Sequence, residues 1–201
     1  MEKSKSMAKS KKYRQIIETA RDLFMRHGIR RVSVEEICQT AGVSKMTFYK
    51  YFENKIDLAI FILKEIYHEG EERYKDIMAQ GIPYSEKAKE IIKMKLEKSE
   101  DVSQEMFKDL IQSSIPEVAE FLQRKTQENL KIFLDDLVSA QKRGEIRKDI
   151  NPQFILYFLN LMPEMAVDER LLNLFESPKA LTAELINFFF YGILTTKSEE
   201  E

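Results

Sequence analysis

An all-α fold of about nine helices is predicted by three features of this 201-residue chain. Apolar residues recur at helical spacing along most of its length, no Val/Thr-rich alternating run marks a strand, and Leu, Ile, Met, Glu and Lys dominate. Hydrophobic residues make up 43% and charged residues 33% of the chain, enough to build a core in one or two helical domains.

Residues 1–10 are rich in Lys and Ser and read as an arm without a core of its own, in which Lys3, Lys5 and Lys9 precede Lys11 and Lys12. From Tyr13 to His27 apolar residues fall at 13, 16, 17, 20, 23 and 24, one stripe of a first helix that Gly28 stops. His27, at the end of that helix, favours its dipole and is not expected to bind metal.

Residues 33–52 read as two short helices about a tight turn. Ser33 caps the first, with Glu36 three residues on in the capping-box position. Ile37 and Ala41 lie one turn apart on its inner face, and small Cys38 lets a second helix cross closely. Gly42 supplies the left-handed conformation that turns the chain, Val43 plugs the corner and Ser44 caps the next helix. That helix buries Phe48 and Tyr51/Phe52 and leaves Lys45, Met46, Thr47, Tyr49 and Lys50 outward. Small residue, turn glycine, plug, cap and outward face make a helix-turn-helix, whose second helix fits the DNA major groove.

Residues 16–58 resemble the DNA-binding domain of the TetR (tetracycline-repressor-like) family of bacterial transcription regulators. The resemblance is carried by Ile17, Ala20, Leu23, Phe24, Gly28, Ser33, Val34 and Ile37, the Ala41-Gly42-Val43-Ser44 turn, and Thr47, Tyr49, Tyr51, Phe52, Lys55 and Leu58. Ile29 departs from the pattern where an aromatic usually follows the glycine, and Cys38 where alanine is usual. The resemblance implies a domain at residues 1–52 for DNA binding and one at 53–201 for ligand binding and dimerisation. It also implies a homodimer on a palindromic operator, repression as the default, and release by a small-molecule effector. A DNA-binding architectural or partner-controlled factor would share the same head.

Charge distribution agrees with a DNA reader. Residues 1–52 hold 12 Lys/Arg against 5 Asp/Glu, a net of +7, whereas the other 149 residues carry −9.

Asn54 opens a fourth helix to about Met78, with Leu58, Ile62 and Ile66 as its inner stripe; in the resembled family this helix carries ligand binding to the DNA heads. Gly81 and Pro83 break the chain. A fifth helix spans about Tyr84–Lys98, and a sixth Asp101–Gln112. Pro116 opens a long seventh helix to Arg143, which Gly144 ends. Asn151 caps and Pro152 starts the eighth, which Pro163 is expected to kink or end. Residues 164–175 continue helically, and Ser177-Pro178 opens the last helix, to Leu194. In that helix Phe188, Phe189, Phe190 and Tyr191 cover most of the circumference, so two sides need burial and one wants a partner. Residues 195–201 read as a solvated tail.

The expected DNA-binding residues are Ser33, Ser44, Lys45, Met46, Thr47, Tyr49, Lys50, Tyr51 and Lys55. Carried over by position, Lys45, Met46, Thr47 and Tyr51 address base edges and the groove; Ser33, Tyr49, Lys50 and Lys55 address phosphates. An effector pocket for a small apolar ligand is expected from Phe107, Phe121, Leu122, Thr126, Asn129, Phe133, Phe158 and Met162. Each of these is also ordinary core or edge material. The dimer interface is expected at Phe154, Phe158, Leu185, Phe188, Phe189 and Gly192.

An enzyme is disfavoured. Cys38 occupies a packing position, His68-Glu69 lacks the second histidine of a zinc motif, and no phosphate loop exists among 6 glycines. No cofactor or metal is expected. One cysteine fits a reducing cytoplasm, the start lacks the apolar run of a signal peptide, and the longest apolar run is too short to span a membrane.

Overall fold

The computed structural model describes residues 11–99, 103–111 and 115–194. Lys3, Lys5 and Lys9 of the arm, and the tail, lie outside them. Among the described residues there are ten helices and no strand; an isolated antiparallel bridge pairs Ile146 with Leu194. The helices are α1 (Lys11–His27), α2 (Val34–Ala41), α3 (Lys45–Tyr49), α4 (Lys55–Ala79) and α5 (Tyr84–Ser99). They continue with α6 (Gln104–Ile111), α7 (Pro116–Lys142), α8 (Pro152–Met165), α9 (Glu169–Leu172) and α10 (Pro178–Ile193). No helix among the described residues is long and apolar enough to cross a membrane.

Most boundaries lie where their punctuation put them. Asn54 Oδ1 accepts from the backbone N–H groups of Ile56 and Asp57, while Asp57 Oδ2 accepts in return from Glu53 N–H, so both sides of the α4 start are satisfied. Asn151 and Ser177 cap α8 and α10, each with proline in the first turn. One expectation needs correction. The sixth helix opens at Gln104, not Asp101, because Ser103 is its cap: Ser103 Oγ accepts from Met106 N–H at 3.1 Å. Pro163, expected to kink or end α8, stands inside it shortly before its end at Met165, with Ala166 as the C-cap. The segment that follows contains α9 as a separate short helix, capped by Asp168.

The chain divides into two compact units, one of Met1–Glu69 with Asp101–Gln123 and one of Gly70–Glu100 with Arg124–Glu201. This division does not follow the functional boundary expected at Glu53: α4 and α7 each contribute turns to both units. The first unit's core joins Ile16, Ala20 and Phe24 of α1, Ile37 and Cys38 of α2, Phe48 of α3 and Leu58 and Ile62 of α4 to Met106, Val118 and Phe121. Complete burial of a side chain such as Phe24 or Phe48 is worth roughly 1.5–3 kcal/mol. The second unit's core joins Ile77, Tyr84, Ile91, Leu137, Ile146, Ile155, Ile186, Phe189 and Phe190.

Candidate nucleic-acid interface

The interface is built on the α2–α3 corner. Ser33 Oγ accepts from Glu36 N–H at 3.1 Å and starts α2. Gly42 ends it at φ 64°, a left-handed conformation that costs a side-chain-bearing residue far more, and its N–H returns to the carbonyls of Cys38 and Gln39. Ser44 Oγ then accepts from Thr47 N–H at 3.2 Å and lies 3.0 Å from the Thr47 hydroxyl. Burial pushes the Cys38 thiol up, which keeps it in the unreactive protonated form.

Burial separates the two faces of α3. Phe48 is fully buried, and Phe52, just beyond the helix, is nearly so. Met46 is 85% and Tyr49 56% exposed, and Lys45 and Lys50 are exposed beside them. Lys45 rests 3.3 Å from the Glu35 carboxylate, an exposed pair worth little to stability that opens at small cost when a stronger anion arrives. Lys50 lies over the Tyr51 ring at 5.9 Å.

Tyr51 and Lys55 also have partners inside the fold. Tyr51 is half-buried, its ring edge-on to Tyr13 at 5.3 Å, so packing between helices accounts for much of its role. Lys55 is held by backbone carbonyls. Its ammonium donates to the carbonyls of Ile29, Arg30 and Val32 at 2.9, 2.8 and 2.8 Å, which uses all three protons. Burial holds its pKa below the ordinary lysine value, with the nearby Asp109 carboxylate acting the other way. Lys55 therefore ties the α1–α2 connection to the start of α4.

The residues expected at an effector pocket divide between the two cores. Phe121 is buried in the first, edge-on to Tyr67, and Leu122 packs at its margin. Phe133, Phe158 and Met162 pack on the second. Thr126 is exposed and Asn129 partly so, the solvated-edge alternative for these two polar residues. The Phe107 side chain lies outside the described ones.

At the expected dimer face, Phe154 is 58% and Phe188 70% exposed, and Gly192 is exposed with them. Leu185 and Phe189 instead point into their own unit, with Phe189 stacked on Phe158 at 6.0 Å. The reason is periodicity: 181, 185, 189 and 193 form one stripe of α10, and that stripe faces the core. Tyr157 and Tyr191, each one helical turn on from Phe154 or Phe188, are exposed as well, at 64% and 67%.

Known proteins share this arrangement. The family model for bacterial regulatory proteins of the tetR family matches residues 16–60. The fatty acid metabolism regulator protein of Bacillus subtilis is 40% identical over 57 residues, which span 28% of this chain and 29% of that protein's length. The uncharacterized HTH-type transcriptional regulator YdgC of B. subtilis is 22% identical over 196 residues, 96% of each chain. Among solved structures, the transcriptional regulator FadR of B. subtilis in complex with stearoyl-CoA has a TM-score of 0.69 and 22% identity, covering 90% of this chain and 99% of that one. With the helix-turn-helix, its caps and its outward face in the positions that the matched segment covers, residues 16–60 match the tetR family of bacterial regulatory proteins, and the chain as a whole shares its fold with solved regulators.

Proposed function

We propose that this protein is a transcriptional repressor that binds a palindromic DNA operator as a homodimer and is released by a small-molecule effector. The observation that carries the reading is α3: one face is locked into the core through Phe48, while Lys45, Met46, Tyr49 and Lys50 stand outward and exposed. Ser33 presents the positive end of α2 beside them. Residues 1–52 are assigned to DNA reading and 53–201 to regulation and dimerisation, in the cytoplasm. A single five-residue α3 covers only one half-site, so two copies are needed for a specific operator. For the effector, the Met78, Met94, Met162, Phe133 and Phe158 side chains around the second core suit an apolar, irregular molecule. The similarity to a regulator solved with stearoyl-CoA makes an acyl-CoA the first to test.

The experiment is in-vitro selection of bound duplexes from a random pool at 50 and 200 mM salt. The reading expects a palindrome with a fixed half-site spacing, and a loss of affinity of roughly 10³–10⁵-fold between the two salts for ~6–10 neutralised phosphates. A pool that stays random, with binding only at low salt, overturns operator reading in favour of an architectural role. Acyl-CoAs that leave the selected complex intact remove that effector class.

A further inference from the structure

The connection between α1 and α2, residues 28–33, is gripped from two sides. From α4, Lys55 takes its carbonyls at Ile29, Arg30 and Val32. From α6, Asp109 Oδ2 accepts the Arg30 N–H at 2.9 Å. Just before α6, Ser103 N–H donates to the Met25 carbonyl at 2.9 Å. The contact at Gly28 is close enough that a Cβ there would meet Asp109 Oδ2 at 2.7 Å and the Glu105 carbonyl carbon at 3.3 Å. Gly28 thus serves twice: it takes φ 79°, and its missing side chain lets α6 seat on the backbone. Met106, 1% exposed, anchors the same helix in the first core. α6 lies outside the segment matched by the family model, 16–60, yet belongs to the compact unit that holds the helix-turn-helix.

The gripped connection ends at Ser33, the cap of α2. Its position sets where the positive end of α2 stands. We infer that Asp109 is a positioning residue for DNA reading: by fastening α6 to the α1–α2 connection, it makes the seating of α6 and the binding of DNA mutually dependent. The inference rests on the proposed function, because it needs a DNA-bound state to couple to. Linkage gives it a measurable form. If a seated α6 favours the DNA-competent head by some factor, DNA must slow the unseating of α6 by the same factor. Asp109 is suited to that role because a carboxylate oxygen on a backbone N–H is a strong, directional bond whose loss leaves the helix-turn-helix core untouched. Lys55, held by three carbonyls, remains as the second grip in its absence.

The test is amide hydrogen exchange on the full chain, with and without the palindromic duplex enriched by selection, for wild type, Asp109→Ala and Asp109→Asn. In wild type, DNA should slow exchange at the hydrogen-bonded amides of α6 by roughly 5–150-fold, the usual range of coupling between sites. In Asp109→Ala that protection should vanish and DNA affinity fall by a similar factor, while the amides of α3 are still protected by DNA. Asp109→Asn keeps an acceptor oxygen for Arg30 N–H and should retain most of the protection. Protection of α3 without any at α6 in wild type overturns the inference alone, and decides the matter even should Asp109→Ala fail to fold. Undiminished α6 protection in Asp109→Ala overturns it too. A wild type that binds no duplex overturns the proposed function, and the coupling with it.

Discussion

Two residues one turn apart illustrate how contacts of different chemistry divide the work on α3. Thr47 is only part-exposed, its N–H and hydroxyl both engaged with Ser44 Oγ, so its methyl and oxygen are held in one orientation. Lys50 is a flexible cation lying over Tyr51. A held side chain can discriminate between bases, whereas a flexible charge reads only the phosphate field. Thr47→Ala should cost about 1–3 kcal/mol against the best operator and relax the preference at one base pair, seen as a flattened column in a repeat selection. Lys50→Ala should weaken all sequences alike and lower the log–log salt slope by about 1. If both variants lose affinity uniformly, α3 does not read base edges through Thr47.

At the scale of the element, short helices depend on their ends. α9 has four residues, and its cap Asp168 accepts from Arg170 N–H at 2.9 Å while its carboxylate binds the Arg170 guanidinium. The guanidinium bond first, and the backbone bond second, hold the Asp168 carboxyl down at about 2. A carboxylate depressed in the fold stabilises it above its ordinary pKa of 3.8, and that contribution is lost as pH falls from there towards about 2. Carboxyl chemical shifts followed through an acid titration should place the Asp168 midpoint near the lower value, and α9 should lose amide protection in the same window. A midpoint near 3.8 would mean that Arg170, exposed in water, holds Asp168 only weakly. The longer helices are held otherwise. α8 carries Pro163 without stopping, because Ile155, Phe158 and Met162 are already packed on the second core.

For the whole molecule, the separation of buried from exposed apolar residues on α8 and α10 makes the proposed dimer testable. Phe189 is 5% exposed and ringed by Phe133, Phe158 and Phe190; its neighbour Phe188 is 70% exposed, with Tyr191 one turn on and Phe154 and Tyr157 on α8. Adjacent phenylalanines should therefore fail in different ways. Phe188→Lys should keep its melting temperature, turn a dimer into a monomer by sedimentation and weaken operator binding, since one head per particle reads one half-site. Phe189→Ala should leave the association state unchanged at first and lose about 3–5 kcal/mol of stability in a urea titration. A Phe188→Lys protein that stays dimeric would place the interface elsewhere.

The sequence by itself determined what depends on neighbours a few residues apart. Caps at Ser33, Ser44, Asn54, Asn151 and Ser177, the left-handed turn at Gly42 and the stripe through Ile16, Ala20 and Phe24 are local, because each is a matter of one helical turn or one φ value. The helix-turn-helix and its outward face were legible for that reason. Tertiary structure alone decided which long-range partner each polar group found. Lys55 reads in the sequence as a phosphate ligand, and in the fold its ammonium meets three carbonyls 23 to 26 residues away. Asp109 carried no signal at all, since its partners lie 79 residues back in the chain, at Arg30. Leu185 and Phe189 read as interface because a helix that is apolar on most sides does not announce which side faces its own core. That choice is made by burial summed over neighbouring helices, a quantity no local pattern contains.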